Sequence, residues 1–267
     1  MPEHQSWFAF LPNYDALVAF FEGRLGRSWM ADQSLDLQHV FGALLVFLIL
    51  LVFGLLVWGK VRDAKQALIP EAKLTPRTFA ELLTEMVLGQ MESMMGAKEA
   101  RTFLPLIGTC AFFILFSNSM SLVPGFQPPT SNLNTTLACA AIVVLASEFY
   151  GFKRHGIGYL KEFMGPLHKP IHFLTGLPIL MFVIELIGHL ARMVSLSMRL
   201  LGNMYADHTV VGIFTTLVPL VPIVVPLPTM VLGVLVIVVQ VAVFCLLSMV
   251  YISLAVAGEE AEEHGAH

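Results

Sequence analysis

The chain has 267 residues, of which 57% are hydrophobic and only 13% are charged, with a formal net charge of −4. Because about a quarter of the residues of a soluble domain are charged, this composition excludes an ordinary soluble protein and indicates an all-α integral membrane protein. The three cysteines form no pairing pattern and no CxxC, which argues against a disulfide framework or a metal cluster. We therefore expect no bound metal.

In chain order, a polar segment (1–38) without an assigned role precedes the first apolar run. Apolar runs of about 20 residues or more are long enough to cross a bilayer as helices. They predict five spans, at approximately 40–59, 102–123, 133–152, 178–218 and 226–257. Between the first two spans, Thr75-Pro76 is typical of a helix start, and the apolar spacing that follows predicts an amphipathic interfacial helix.

The last two predicted spans are too long for one perpendicular crossing each, and prolines separate them. We expect them to form a strongly tilted hairpin. The five spans together make a single membrane domain, 39–258, followed by an acidic tail, 259–267. Eleven of the fifteen lysines and arginines lie in the connectors 60–101 and 153–169, which the positive-inside rule places in the cytoplasm. The N-terminus is then outside and the C-terminus cytoplasmic.

The fourth predicted span carries a stripe of polar side chains. At about 100° per residue, six of them fall within about 40° of one direction: Glu185, His189, Arg192, Arg199, Asn203 and Asp207. An ionisable group at the bilayer centre costs roughly 2.5–3.5 kcal/mol or more, so such groups are rare and generally functional. The stripe predicts the wall of a path for ions or protons.

Some polar residues have simpler interpretations. Arg192 lies about one helical turn from His189 and two from Glu185, so a structural pair is as good an explanation as a channel role. Glu148, near the cytoplasmic end of the third span, is better explained as an interfacial residue. Two other classes of protein, a secondary transporter and an intramembrane enzyme, are disfavoured because we find no internal repeat, no HExxH and no GxSxG.

The stretch 193–208, MVSLSMRLLGNMYADH, resembles the signature of subunit a, the stator channel subunit of F-type ATP synthases. The matching positions are Ser195-Leu196, Arg199-Leu200 and Gly202-Asn203-Met204. Glu185, Gln240 and the run 129–136 also fit, and the resemblance covers roughly residues 75–264.

The resemblance implies proton transport coupled to ATP synthesis. Two half-channels would lie against a rotating ring of c subunits, and Arg199 would be the essential arginine that interacts with the ring carboxylate. The implied partners are the c-ring, the b-subunit peripheral stalk, the remaining ATP synthase subunits and membrane lipid, with no nucleic acid. The chain itself would be a non-catalytic channel subunit without an ATP site or cofactor, in the inner membrane of a bacterium. The choice between H⁺ and Na⁺ stays open, because the ion binds on the c subunit.

The resemblance also suggests individual roles. Gln240 would face Arg199 and hold its side chain, while Asn203 would line the outer half-channel. Glu185 and His189 suit the inner half-channel. Asp207 and His208 would relay protons on the outer side, where many relatives carry glycine and glutamate. Some relatives carry a histidine in place of Gly233, and we expect His208 to fill that space. Further candidates for channel lining are Asn118, Asn132, Asn134, Ser195, Ser248 and Tyr251.

Overall fold

The structure, a computed structural model, describes residues 14–25, 37–62, 73, 75–123, 126–156, 177–217 and 226–257. Within these ranges the chain forms α-helices, two short 3-10 turns and no strand. The helices are α1 (Tyr14–Leu25), α2 (Gln38–Val61), α3 (Pro76–Met95), α4 (Ala97–Ser119), α5 (Leu133–His155), α6 (Leu177–Leu217) and α7 (Pro226–Ala257). The 3-10 turns are Met120–Leu122 and Pro129–Ser131. The predicted all-α class is confirmed.

Five stretches of these helices are long and apolar enough to cross a membrane, in agreement with the five predicted spans. They are Gln38–Val61, Ala97–Leu122, Leu133–Arg154, Leu180–Asp207 and Met230–Val256. Their outer faces are apolar and exposed: in α2, Leu55, Leu56 and Trp58 are 56%, 57% and 62% exposed. Contiguous apolar surface of this extent is typical of a face covered by lipid or by a partner.

The predicted division into an N-terminal segment, one membrane domain and a tail stays a prediction. Most of the segment 1–38, the second basic connector beyond residue 156 and the tail 259–267 lie outside the described residues. So do the prolines at 219 and 222, which the sequence analysis places between the last two helices.

Helix α3 begins where the sequence predicts a helix start. The Thr75 hydroxyl accepts a hydrogen bond from the Thr78 backbone N–H at 3.4 Å, and Pro76 is the first helical residue. The side chain therefore satisfies one of the backbone donors that every helix start leaves unpaired. One face of α3 is buried at Val87 and Met91 while Met86 is 62% exposed, so the helix has the amphipathic character that the sequence predicts.

A single residue, Gly96, joins α3 to α4. Its φ of 81° is in the left-handed region, which glycine adopts without steric cost. The Gly96 N–H donates to the Glu92 carbonyl at 3.1 Å, and the Gly96 carbonyl accepts from the Ala100 N–H at 3.0 Å. The backbone therefore passes from one helix to the next without an intervening loop.

The chain divides into two compact units. Unit 1 comprises Met1–Glu81, Phe112–Thr135 and Leu200–Val241. Its packing includes Phe53 of α2, whose ring centroid lies 6.2 Å from that of Phe79 in α3 and 5.6 Å from that of Phe116 in α4. These separations suit attractive aromatic pairs.

Unit 2 comprises Leu82–Ala111, Thr136–Arg199 and Ala242–His267. Phe103 of α4 and Tyr150 of α5 meet edge to face in this unit, with centroids 4.6 Å apart. In lipid, helices gain little from the hydrophobic effect when they associate, so close packing of this kind is a main source of cohesion.

Gly42 gives a test of this packing inside unit 1. A Cβ added there would lie 3.2 Å from Pro129 Cγ, whereas a Cβ at Gly54, on the same helix, would meet nothing within 4 Å. We expect Gly42→Leu to destabilise the protein by about 1–3 kcal/mol through overpacking. Gly54→Leu is the matched control, because both substitutions gain similar helix propensity. Thermal unfolding of the detergent-solubilised complex measures the difference, and equal midpoints for the two variants would contradict the packing argument.

Candidate functional site

Helix α6 carries the predicted polar stripe and is unbroken over its 41 residues. At 1.5 Å per residue its length is about 60 Å, roughly twice the thickness of a bilayer core. Leu196, Leu200 and Met204 recur every four residues and are buried, so they mark the packed face of the helix. Residues of α6 that are out of phase with these three lie on its other faces.

Arg199 lies on an exposed face of α6. It follows the exposed Met198 and precedes the buried Leu200. Among the described residues it makes no ion pair, although this part of the helix belongs to a stretch apolar enough to cross a membrane. A cation inside a membrane is costly unless an opposite charge or water neutralises it. The arrangement therefore requires a partner for Arg199 that the described part of the chain does not supply.

Unit 1 brings together Asn203 of α6 and Gln240 of α7. The Asn203 side-chain amide donates a hydrogen bond to Gln240 Oε1, and Gln240 is only 2% exposed. Both residues are predicted to belong to the channel, with Gln240 facing Arg199. Their roles in proton transfer stay predictions.

Asp207 lies against Gly233, also in unit 1. The two carboxylate oxygens are 3.5 Å and 3.6 Å from the position that a Cβ on Gly233 would occupy. Because Gly233 has no side chain, the Asp207 carboxylate lies beside the space that a side chain at position 233 would occupy. The side chain of His208, which the sequence analysis expects to fill this space, lies outside the described residues.

Buried polar groups of unit 1 lie at the end of α4 and in the 3-10 turn that precedes α5. The Thr130 hydroxyl donates to Asn118 Oδ1 at 2.6 Å, and both residues are fully buried. The Asn118 amide nitrogen and the hydroxyl of Ser117 have no hydrogen-bond partner within the described part of the chain. Buried polar atoms of this kind are generally satisfied by ordered water.

Two of the candidate lining residues lie at the start of α5. Asn132 Oδ1 accepts a hydrogen bond from the Asn134 backbone N–H at 2.9 Å, which is the geometry of a helix N-cap. The side chain of Asn134 is exposed. The structure thus gives Asn132 a capping contact, and the predicted channel role of both residues stays untested.

Unit 2 holds the main cluster of ionisable groups. His189 Nδ1 lies 2.5 Å from Glu148 Oε1 of α5, and His189 Nε2 lies 3.2 Å from Glu185 Oε1 of its own helix. The first contact has the distance of an ion pair but not the angles of a hydrogen bond. Arg192 Nη2 approaches the same oxygen of Glu185 at 3.8 Å. The stripe predicted from the sequence therefore brings Glu185, His189 and Arg192 together.

The remaining candidates of unit 2 have distinct surroundings. The Arg192 guanidinium lies 5.9 Å from the centroid of the Tyr251 ring in α7, within cation–π distance. Ser248 is fully buried and its hydroxyl donates to the Phe244 carbonyl at 2.8 Å, whereas Ser195 is exposed. Within the described ranges no three His, Cys, Asp or Glu side chains converge to hold a metal ion.

Glu148 makes a contact that the sequence did not predict. Its side chain is 26% exposed and lies beside His189, while the predicted interfacial position stays a prediction. One signal was available, because Glu148 is the only carboxylate between residues 133 and 155. A lone carboxylate in an apolar span is a functional-site hypothesis by default.

Comparison with known proteins agrees with this architecture. Residues 41–253 match the ATP synthase A chain family. ATP synthase subunit a of Sorangium cellulosum is 38% identical over 267 residues, which cover 99% of this chain and all of that protein. ATP synthase subunit a 2 of Syntrophotalea carbinolica is 44% identical over 224 residues, 84% of this chain and 88% of that protein. The corresponding subunit of Geobacter sulfurreducens is 50% identical over 172 residues, 63% of this chain and 70% of that protein. The chain belongs to the ATP synthase A chain family.

Proposed function

We propose that this chain is the proton-translocating subunit of the membrane sector of a bacterial ATP synthase. One observation carries the proposal: Arg199 is an exposed cation in a membrane-spanning stretch and has no ion pair among the described residues. Its counter-charge must then come from outside the described chain. A mid-membrane carboxylate on each subunit of a c-ring has the required charge.

Arginine suits this position because of its protonation chemistry. Its guanidinium does not deprotonate in proteins, whereas a lysine in an apolar site can lose its charge. Arg199 therefore attracts a ring carboxylate only while that carboxylate is ionised. A fixed positive charge also opposes the passage of a proton along α6, so that protons must travel on the ring.

The polar residues of α6 on either side of Arg199 are our candidates for two half-channels. Asn203 and Asp207 follow Arg199 in the chain and, with Gln240, line the outer half-channel. Glu185 and His189 precede it and line the inner half-channel. This assignment rests on the predicted orientation, with the N-terminus outside and the C-terminus in the cytoplasm.

The proposed partners follow from membership of the ATP synthase A chain family. The c-ring covers the face of α6 that carries Arg199, and lipid covers the exposed apolar faces of the other spans. The peripheral stalk formed by the b subunit, together with the remaining subunits, holds the chain against the ring. The ATP sites lie on other subunits, so this chain contributes transport and not ATP chemistry.

Thiol crosslinking in membranes that contain the complete ATP synthase tests the position of the ring. Met198 is 53% exposed beside Arg199, and the three native cysteines are buried, which keeps the background reaction low. We expect Met198→Cys to crosslink to a c subunit through a bifunctional thiol reagent, and the crosslinked complex to stop ATP-driven pumping. Leu56→Cys, 57% exposed on α2, is the matched control.

Equal yields of the crosslink to a c subunit from Met198→Cys and from Leu56→Cys would contradict the proposal. A secondary transporter or an intramembrane enzyme predicts that result, since neither requires a ring. ATP-driven pumping by the same membranes with and without Na⁺ then determines which ion is coupled.

A further inference from the structure

The imidazole of His189 lies between carboxylates from two different helices. Glu148 on α5 approaches Nδ1 at 2.5 Å, and Glu185 on α6 lies 3.2 Å from Nε2. The exposed fractions of the side chains of His189, Glu148 and Glu185 are 12%, 26% and 42%. Burial therefore increases from both carboxylates toward the histidine, which separates them.

The cluster holds three groups that can bind a proton beside one cation that cannot lose its charge. Arg192 stays positive, and its Nη2 lies 3.8 Å from Glu185 Oε1. Glu148, His189 and Glu185 form a line of contacts, so a proton on either carboxylate has the imidazole within 3.2 Å.

Histidine can pass such a proton from one side to the other. Nδ1 and Nε2 are separate sites, and neutral imidazole carries a proton on only one of them. Transfer at Nδ1 requires the Glu148 carboxyl to rotate into hydrogen-bond alignment with that nitrogen. A proton leaving the carboxylic acid of Glu148 then forms an N–H bond at Nδ1, and the proton on Nε2 moves to the carboxylate of Glu185. The imidazole is neutral before and after the transfer, and only its tautomer changes.

We propose that Glu148 is a proton-exchanging residue of the inner half-channel, acting through His189 on Glu185. This inference rests on the proposed function above. It assigns to the path a group from α5, a helix that carries no member of the predicted polar stripe. The exposed residues nearest to Glu148 along α5 are apolar: Leu145 and Phe149 are 66% and 64% exposed. The carboxylate is thus the polar end of an otherwise apolar surface.

Two other charged groups of this unit form an ion pair with each other. Arg154 Nη1 of α5 lies 2.6 Å from Glu99 Oε1 of α4, and Arg192 also lies over the Tyr251 ring of α7. Glu99 has the same exposed fraction as Glu148, 26%, but its partner is a permanent cation. It is therefore a matched control carboxylate within the same unit.

The experiment compares Glu148→Gln, Glu148→Asp, Glu99→Gln and Arg199→Ala in the complete ATP synthase in inverted membrane vesicles. We measure ATP-driven proton pumping against pH, the solvent isotope effect in D₂O, ATP hydrolysis and the amount of assembled chain. Glu148→Gln should slow pumping roughly tenfold, less than the usual loss on removing an acid–base group because water can partly replace it. The loss should vary with pH, because the removed carboxyl is a group that binds and releases a proton.

The expected pattern also includes a larger isotope effect in Glu148→Gln, partial recovery in Glu148→Asp and normal pumping in Glu99→Gln. Normal pumping by Glu148→Gln would overturn the inference. A loss that is equal at every pH, with an unchanged isotope effect, would also overturn it, because it would mean that Glu148 only positions His189. Should Glu148→Gln fail to assemble, Glu148→Asp decides: a pH profile and isotope effect identical to those of the unmodified chain would reject the relay.

Failure of this inference is distinguishable from failure of the proposed function. Loss of pumping in Arg199→Ala together with normal pumping in Glu148→Gln rejects the relay and leaves the function standing. Normal pumping in Arg199→Ala rejects the proposed function itself.

Discussion

Replacing Arg199 with alanine should abolish ATP-driven proton pumping while the complex continues to assemble and to hydrolyse ATP. The guanidinium is exposed in a membrane-spanning stretch, and no described residue forms an ion pair with it. Removing it takes away the positive charge that, in our proposal, pairs with the ring carboxylate. We therefore expect the pumping rate to fall about 100-fold or more, the usual effect of removing one preorganised electrostatic contact. Quenching of a pH-sensitive dye in inverted vesicles measures the pumping.

Two variants control this experiment. Arg199→Lys keeps a cation that can lose its proton in an apolar site, so we expect partial or no recovery of coupled pumping. Arg154→Ala removes an arginine that is paired with Glu99 and is 42% exposed, and pumping should be normal. Full pumping by Arg199→Ala would contradict the assigned role of this residue.

The second large effect is expected at Gln240. Its side chain is 2% exposed and accepts the hydrogen bond from Asn203, so Gln240→Leu leaves a polar group of α6 without its partner. An unsatisfied group of this kind costs about 1–3 kcal/mol. If the pair lines the outer half-channel, pumping should fall roughly tenfold as well, since a leucine offers no hydrogen bond to Asn203 or to water in the path.

A double-mutant cycle with Asn203→Leu separates the contact from other effects of each substitution. We expect the two single losses to be non-additive, with a coupling of about 0.5–3 kcal/mol in thermal unfolding, because the residues share one bond. Ser147→Ala is the control for loss of a buried polar side chain, since its hydroxyl donates only to the Val144 carbonyl of its own helix at 2.7 Å. Additive losses in the cycle would show that the Asn203–Gln240 bond contributes little.

Helical periodicity was sufficient to predict contacts within α6. Glu185, His189 and Arg192 lie on one predicted stripe, and in the structure each approaches a neighbour from the same helix. The N-cap at Thr75 was equally predictable, because a cap depends on three or four consecutive residues. The five spans follow from length and apolarity alone.

Contacts between helices were not predictable in this way. Glu148 and His189 meet because α5 and α6 pack in a particular register, which no period within one helix specifies. The same holds for Thr136 and Ser197, two buried hydroxyls 3.0 Å apart on helices far apart in sequence. The hydrogen bond between Asn203 and Gln240 was not predictable for the same reason, because it depends on how α6 and α7 are rotated against each other in unit 1.

The glycine link between α3 and α4 has a consequence for how this chain can vary in length. With Gly96 as the only residue between the two helices, no loop is present to absorb an insertion or a deletion. Removing or adding one residue there would turn every side chain of one helix by about 100° relative to the other. Length changes are therefore tolerated less at this junction than in a flexible connector, and an engineered tag or insertion belongs elsewhere in the chain.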